Sequence, residues 1–378
     1  MISRTRLCAV ARKEFLHVLR DWRSLFLAIA IPVVLIVLFG YALDLDLNDV
    51  PVAVWDRSRS AESRDFLSMF AGSPYFSLAS FHEDYRTIVT ALDRETVMVA
   101  LVIPSDFGEC IRGGRATEVQ VIAEGSDATT ARLALSYATT LGMVYNQKIA
   151  VRQLASMGLR DAPLPVELAP RAWYNLDLRS QNVIIPGIIA IVMIVIAAML
   201  TSVTVAKEWE MGTMEQLIST PIRGPEIVLG KVVPYFVIGM TDVALAVAMG
   251  HWVFGVPLRG SAGLLFAMAS IFLTGSLFFG LMLSITLKKQ VLANQAALLG
   301  SYLPTLLLSG YVFPIENMPI ALQYLSYIVP ARYFIALMRG IYLKGIGLEI
   351  MWLNALLLTL YAAVMVVLAH KRLRLKLE

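Results

Sequence analysis

Six apolar runs mark the sequence, at 25–43, 183–205, 232–253, 262–287, 291–312 and 351–369. Each has the length an α-helix needs to cross a hydrocarbon core roughly 30 Å thick. The pattern predicts an α-helical integral membrane protein with six transmembrane helices. Pro32 falls inside the first run and Pro234 inside the third, and a spanning helix tolerates both if its neighbours satisfy the freed carbonyls. Ahead of the first run, Leu7, Val10, Ala11, Phe15, Val18, Leu19 and Trp22 recur at helical spacing with basic residues elsewhere. That is an amphipathic helix lying in the membrane interface, so residues 1–43 read as this helix followed by span 1.

The stretch 44–179 has a different pattern, that of an inserted α/β domain between spans 1 and 2. Short runs at 52–55, 76–81, 97–103 and 119–122 read as strands, and 60–70 and 85–92 as helices between them. Ala131, Leu135, Ala138, Leu141, Val144 and Ile149 mark one face of a long helix over 127–157. Pro163, Pro165 and Pro170 then return the chain to the membrane in an extended form. Glu124, Ser126 and Asp127 beside a glycine read as turn chemistry and a helix cap rather than an active site.

Spans 2–6 occupy 180–378. The polar stretch at 207–230, KEWEMGTMEQLISTPIRGPEIVLG, interrupts them between spans 2 and 3. Glu208, Glu210 and Glu215 alternate with Met211, Met214, Leu217 and Ile218, which predicts one short amphipathic helix ended by Pro221. Two fates are open to it: resting on lipid, or docking into a groove of a soluble partner. Its acidic face disfavours anionic headgroups and favours the partner.

Chemistry within the spans is sparse. Asp242 in the third is a carboxylate at membrane depth, and reads either as a translocation-path residue or as a protonated or hydrogen-bonded structural aspartate. Gly275, Ser276, Gly280 and Ser284 give the fourth span a small-residue face for close packing, and the polar residues of the fifth, from Asn294 onwards, read as serving helix association or the lateral wall of a translocation path. At 313–347, Pro314, Pro319, Pro330, Arg332, Arg339 and Lys344 break an apolar segment into pieces of one to three turns. It reads as a re-entrant pair of short helices on the outer side, before the last span.

Composition and charge fix the side of each part. The chain of 378 residues is 58% hydrophobic and 16% charged, with mean hydropathy +0.69, outside the range of soluble proteins. Residues 44–179 carry 13 basic and 18 acidic side chains against 19 and 10 in the rest, as expected of a domain on the extracytoplasmic side. Fifteen Lys and Arg then flank the spans on the cytoplasmic side against four in the short outer loops, which puts both termini in the cytoplasm. Cys8 and Cys110 lie on opposite sides and cannot pair, and His17, His82, His251 and His370 lack metal-ligand spacing. No catalytic or metal-binding set is expected, and no nucleic-acid partner.

At this point the text itself resembles a known family. The order E-x-E-x-G-T-x-E-x-L-x-x-T-P from Glu208, followed by P-E-I-x-x-G-K, is similar to the cytoplasmic loop of ABC-2 type permeases, the membrane subunits of ATP-binding-cassette exporters. The entry A-R-K-E-F-x-x-x-x-R-D, the fragment A-L-V-I-P-x-D-F at 100–107, F-P-I-E-N-M-P and P-A-R-Y-F-I-x-x-x-R-G-I-Y-L-K-G are similar to the same family, in the same order. The resemblance implies that Glu208, Glu210, Gly212, Thr213, Glu215, Thr220 and Pro221 contact or shape an ATPase interface. It implies that the re-entrant helices form an outer gate, in which Pro314, Asn317, Pro319, Pro330 and Arg339 would sit. It implies a bacterial inner membrane and two partners: an ABC ATPase subunit carrying the ATP and magnesium, and a second permease chain, identical or paralogous. The outer domain itself reads as a cap or as a docking surface for a partner such as a periplasmic adaptor. It implies a drug-like or lipophilic cargo.

Residues 224–231 end in Gly-Lys, but the glycines are five residues apart rather than four and Val232 stands where a phosphate loop needs Ser or Thr. An active exporter would therefore depend on a separate nucleotide-binding subunit. The alternative is a membrane scaffold or sensor whose outer domain binds a ligand or adaptor; a membrane enzyme would need companions for Asp242 at the same depth.

Overall fold

A computed structural model describes residues 3–20, 22–42, 49–156, 174–175 and 179–373. The three prolines at 163, 165 and 170, residue 43 and the basic tail from 374 onwards lie outside the described residues. The chain divides into two compact units, Leu45–Arg171 and Met1–Asp44 with Ala172–Glu378.

The second of these opens with α1 (Arg4–Arg20) and α2 (Trp22–Ala42). The smaller unit follows: β1 (Val50–Asp56), α3 (Ala61–Ala71), β2 (Phe76–Phe81), α4 (Tyr85–Asp93), β3 (Val99–Ile103), α5 (Phe107–Arg112), β4 (Gln120–Ala123) and α6 (Ala128–Ser156). Its sheet runs β2-β1-β3-β4, parallel except for β4. Alternate residues separate two cores, as the pleat requires. Val52, Val54, Val99, Leu101 and Ile103 face Phe66, Phe70, Phe107 and Tyr145 from α3, α5 and α6; Ala53, Ala100 and Val102 face Ile88 of α4. Ser60 caps α3 by accepting from the Ser63 amide. Lys148 and Arg152 of α6 hold Asp65 of α3 at 2.7 and 2.8 Å.

The larger unit continues with α7 (Gln181–Ser202), α8 (Thr204–Glu210), α9 (Thr213–Ile218), α10 (Gly224–Trp252), α11 (Ala262–Leu287), α12 (Gln290–Leu308), α13 (Ile320–Ser326), α14 (Pro330–Arg339) and α15 (Leu348–Arg372). Five stretches are long and apolar enough to cross a membrane: 181–210, 224–252, 262–287, 290–308 and 348–372; α2 adds a shorter apolar stretch, Ala28–Tyr41. The most buried helix is α7, because α11 packs closely along it. Gly280 faces the Ala198 carbonyl and the Thr201 hydroxyl, and Thr201 donates back to the Leu277 carbonyl at 2.8 Å. The small residues read from the sequence as one face are thus shared between neighbours: Gly280 lies in the α7–α11 seam, Ser284 accepts from amides of α8, and Gly275 turns to Tyr361 of α15.

Between α12 and α15, α13 and α14 meet at a bend of 82°. Most of α13 is exposed, whereas Phe334, Ile335, Leu337 and Met338 of α14 are buried, with Phe334 stacked on Phe272 at 4.2 Å. The guanidinium of Arg339 donates to the carbonyls of Gly310 and Tyr311. The turn of π-helix at Gly340–Lys344 accepts from the amides of Arg259 and Gly260. The segment is therefore tied back to the end of α12 and finishes beside the α10–α11 connection.

Gly280→Ala should cost about 1–3 kcal/mol, because the added methyl meets backbone rather than a yielding side chain. Gly142→Ala, in open space on α6, should be neutral or stabilising by about 0.5–1 kcal/mol; thermal unfolding of the detergent-extracted chain measures both. The hydrogen bond from Lys148, opposed by slight burial and aided by Arg152, holds the Asp65 carboxyl below the usual carboxylate range. Its tie to α6 is then at full strength above a pH of about 4 and is lost as pH falls below that. Protection of the α6 amides against hydrogen exchange, taken relative to the intrinsic rate at each pH, should fall with acid in the natural chain, and Asp65→Asn should remove that loss of protection.

Candidate functional site

One end of the larger unit gathers α1, α8, α9, the start of α10 and the α11–α12 turn. The local chain explains the shape. From α7, the backbone runs almost unbroken into α8, whose Val205 and Ala206 amides donate to Ser284 Oγ of α11 at 3.0 and 2.9 Å. Gly212 then takes φ +70°, a left-handed value that favours glycine, and α9 starts in a new direction. The single helix expected over 208–218 is therefore two helices broken at Gly212. After α9, Thr220 Oγ1 returns to the Leu217 carbonyl at 2.6 Å, and Pro221 leads to the N-terminus of α10.

The centre of this end is a cluster of buried charge. Lys231 is 2% exposed, Glu14 5% and Glu208 7%. The Lys231 ammonium donates to Glu14 Oε1 at 2.9 Å and lies 2.9 Å from Glu208 Oε2. That second contact is an ion pair without a hydrogen bond. Lys13 donates to Glu208 Oε1 at 2.9 Å and approaches Glu14 at 3.6 Å. Two cations and two anions thus join three helices, α1, α8 and α10. Burial alone would push the Glu14 carboxyl up, but the charge and hydrogen bond of Lys231, with Lys13 and His17, outweigh it and hold the group below its ordinary value. Burial would lower Lys13 in the same way, and Glu208 and Glu14 outweigh it and hold its ammonium above its ordinary value.

A second tie closes the same end. Glu226, fully buried near the start of α10, accepts from the Ser3 amide at 2.8 Å and from the Arg223 amide at 3.0 Å. Arg6 sits 3.7 Å from the same carboxylate and also donates to the Pro221 carbonyl. Along the seam between the two ties, Gly230 lets α1 approach so closely that a Cβ there would lie 2.7 Å from Val10.

The sequence-predicted loop residues divide accordingly. Glu208 faces inward rather than lying on an acidic surface, because Lys231 and Lys13 require it. Thr213 is half-buried and donates to the Glu208 carbonyl at 3.3 Å. Glu210, Gly212, Glu215, Thr220 and Pro221 are exposed together with Met211. Met214, counted on the same apolar stripe as Met211, is fully buried. Gln290 donates to Glu210 at 2.5 Å and Lys288 stands 4.5 Å from the Trp209 ring, so the α11–α12 turn braces the loop. An open cleft of about 760 Å³ lies between these elements, lined by Glu14, Glu208, Lys231, Leu200, Tyr235 and Gln290 among others.

The remaining candidates lie elsewhere. Asp242 is buried on α10, further along the helix, against Ile189, Val192 and Met193 of α7. Asn294 is half-buried in the early part of α12. Pro314, Asn317 and Pro319 are exposed around a short 3-10 turn, Pro330 is buried at the first turn of α14, and Arg339 is half-buried on its two carbonyl partners. Sequence reading missed Glu14, Lys231 and Glu226. Glu14 had a signal: it stands four residues from both Val10 and Val18, on the buried face.

Comparison with known proteins agrees with this architecture. Residues 22–371 match the family described as ABC-2 family transporter protein. The chain is 36% identical over 346 residues to the probable multidrug ABC transporter permease YbhS of Escherichia coli (strain K12), covering 91% of this chain and 90% of that one. It is 29% identical over 352 residues to the probable multidrug ABC transporter permease YbhR of the same organism, covering 92% of each. To the inner membrane transport permease YhhJ, also of that strain, it is 28% identical over 313 residues, 81% of this chain and 80% of that one. The matched region takes in α8, α9, the whole of α10 and every later helix, with α15 complete but for its last residue, and this chain belongs to the ABC-2 family of transporter proteins.

Proposed function

We propose that the chain is the membrane subunit of an ATP-driven exporter, with ATP hydrolysed by a separate nucleotide-binding subunit that docks on α8 and α9. It would cross an inner membrane six times, by α2 and the five longer stretches, with the α8–α9 end in the cytoplasm and α13–α14 as a re-entrant pair on the outer side. The observation that carries this reading is the buried charge cluster. A loop that only rested on lipid would not need Glu208 ion-paired to both α1 and α10. Held in that way, the exposed set Glu210, Met211, Gly212, Glu215, Thr220 and Pro221 faces away from the bundle as a stiff knob suited to a groove on a soluble partner.

Closure of the ATPase around nucleotide would press on this knob. The cluster would transmit the displacement to α1 and α10, and the Ser284 bonds would transmit it to α11. The spans would then rock between arrangements open to one side and to the other. Apolar side chains exposed on α2, α12 and α15, such as Val34, Leu38, Leu299, Leu303, Leu356 and Leu360, suit lipid and a second permease chain. The description of YbhS and YbhR as probable multidrug permeases supports a drug-like or lipophilic cargo for this chain.

Gly212→Pro removes the positive φ on which the loop turns, and Glu210→Lys reverses an exposed charge of the knob. In vesicles containing the chain and its ATPase subunit, each variant should insert normally and lose cargo-stimulated ATP hydrolysis. Stimulation at the level of the unaltered chain in both variants contradicts the docking role.

A further inference from the structure

Every buried acid at the α8–α9 end has a cationic or amide partner: Glu14 and Glu208 have lysines, and Glu226 has two backbone amides. Asp242 is different. It is 6% exposed, and both carboxylate oxygens lack a hydrogen-bond partner. The walls around it are aliphatic, with Ile189, Val192, Met193 and Ile196 from α7 and Leu273 from α11. A carboxylate desolvated in this way is costly unless something neutralises it. This fold pairs its buried acids at the α8–α9 end, so Asp242 is left to be neutralised by a proton or by a cation that binds beside it.

The chamber adjoins the cleft. Leu200 and Tyr235 line both the open cleft beside Lys231 and the small cavity of about 10 Å³ that holds Asp242. Along α10, the order Lys231, Tyr235, Asp242 places these residues on one face, since eleven residues make three turns with only about 20° left over. Asp242 therefore stands about 16 Å beyond the charge cluster on the same side of the helix, with Leu200 and Tyr235 between them. The cavity has room for about one water, so in this structure the chamber is closed. A drug-sized ligand needs roughly 300 Å³ or more, which requires α10 to move from α7. Lys231 ties α10 to the loop, and Pro234, just beyond it, removes one backbone hydrogen bond where the helix can yield.

We propose that Asp242 is the charge-recognising residue of a binding site for lipophilic organic cations, entered from the cleft when Leu200 and Tyr235 part. The carboxylate supplies the counter-charge, and the aliphatic walls take the apolar body. An inorganic cation is a poor fit, because it needs several oxygen ligands and these walls offer one carboxylate. The proposal rests on the export reading for its biological use, but binding itself needs neither the ATPase nor nucleotide.

The test uses the purified full-length chain in lipid nanodiscs, without an ATPase subunit, and three probes with similar aromatic bodies: tetraphenylphosphonium, tetraphenylborate and neutral triphenylphosphine oxide. Tetraphenylphosphonium should bind in preference to the anion. Asp242→Asn should weaken it by at least about tenfold, the scale of one lost charge contact. Asp242→Glu should keep affinity within a few-fold, and the neutral probe should bind the Asn variant and the unaltered chain equally, which shows that the fold is intact. Leu200→Trp should slow association. Unchanged tetraphenylphosphonium affinity in Asp242→Asn, or an equal loss for the neutral probe, overturns the assignment; an unchanged association rate in Leu200→Trp overturns the entry route. Cation binding through Asp242 combined with no cargo-stimulated ATP hydrolysis in the assembled complex would sink the export reading and leave the site standing.

Discussion

A buried ammonium must be neutralised, and from that constraint the rest of this membrane unit follows. Lys231 sits 2% exposed near the start of a largely apolar helix. Only a carboxylate brought to it from another element can hold it there. Glu14 comes from the interfacial helix and Glu208 from the loop after α7, so one charge requirement fixes the positions of three segments far apart in sequence. Lys13 balances the second carboxylate and brings the cluster to neutrality. Breaking one buried pair typically costs about 3–5 kcal/mol, because the partner is left charged and dry. Such a cluster adds little net stability over a hydrophobic one, but it is intolerant of misplacement.

That intolerance makes a loop into a lever. Apolar packing along a helix face can slide by fractions of an ångström, whereas a charge pair in a dry site cannot shift without leaving an ion unpaired. The second tie, at Glu226, adds the chain's N-terminus to the same block, and the close contact of Gly230 with Val10 leaves no room between α1 and α10. Beyond the block the character of α10 changes. Pro234 loosens the helix, Gly239 admits Leu273 so closely that a Cβ would lie 2.8 Å from it, and Asp242 faces aliphatic side chains. A stiff end and a yielding middle on one helix suit the conversion of a push on the loop into a change around Asp242.

The secondary structure was largely legible in the sequence, for reasons that differ by segment. Apolar runs of spanning length have few alternative fates: the helix at 262–287 matches its run, and the helix at 224–252 covers the run at 232–253 but starts eight residues earlier, within the polar stretch. In the smaller unit, strands fall within two residues of the period-2 runs because alternate residues face two separate cores. The short α5 escaped notice, as six residues give too little periodicity. The site was less legible. Acidic residues interleaved with methionines look like a solvated face, and a helical wheel cannot show that Glu208 turns inward to a lysine from another helix. Lys231 was set aside as part of a false phosphate loop, although a lone lysine at the edge of an apolar run is itself a request for a partner. The break at Gly212 was hidden because glycine is tolerated in a short helix, and only its positive φ reveals the turn.

The central claim is that Glu208 and Lys231 act as one unit joining the loop to α10. A double-mutant cycle tests it most directly, measuring the unfolding free energy of Glu208→Gln, Lys231→Met and the double variant in the detergent-extracted chain. The account predicts that the double variant is less destabilised than the two single losses together, with a coupling of at least about 1 kcal/mol. Additive losses, within the usual 0.3–0.5 kcal/mol or so of independent sites, would contradict it.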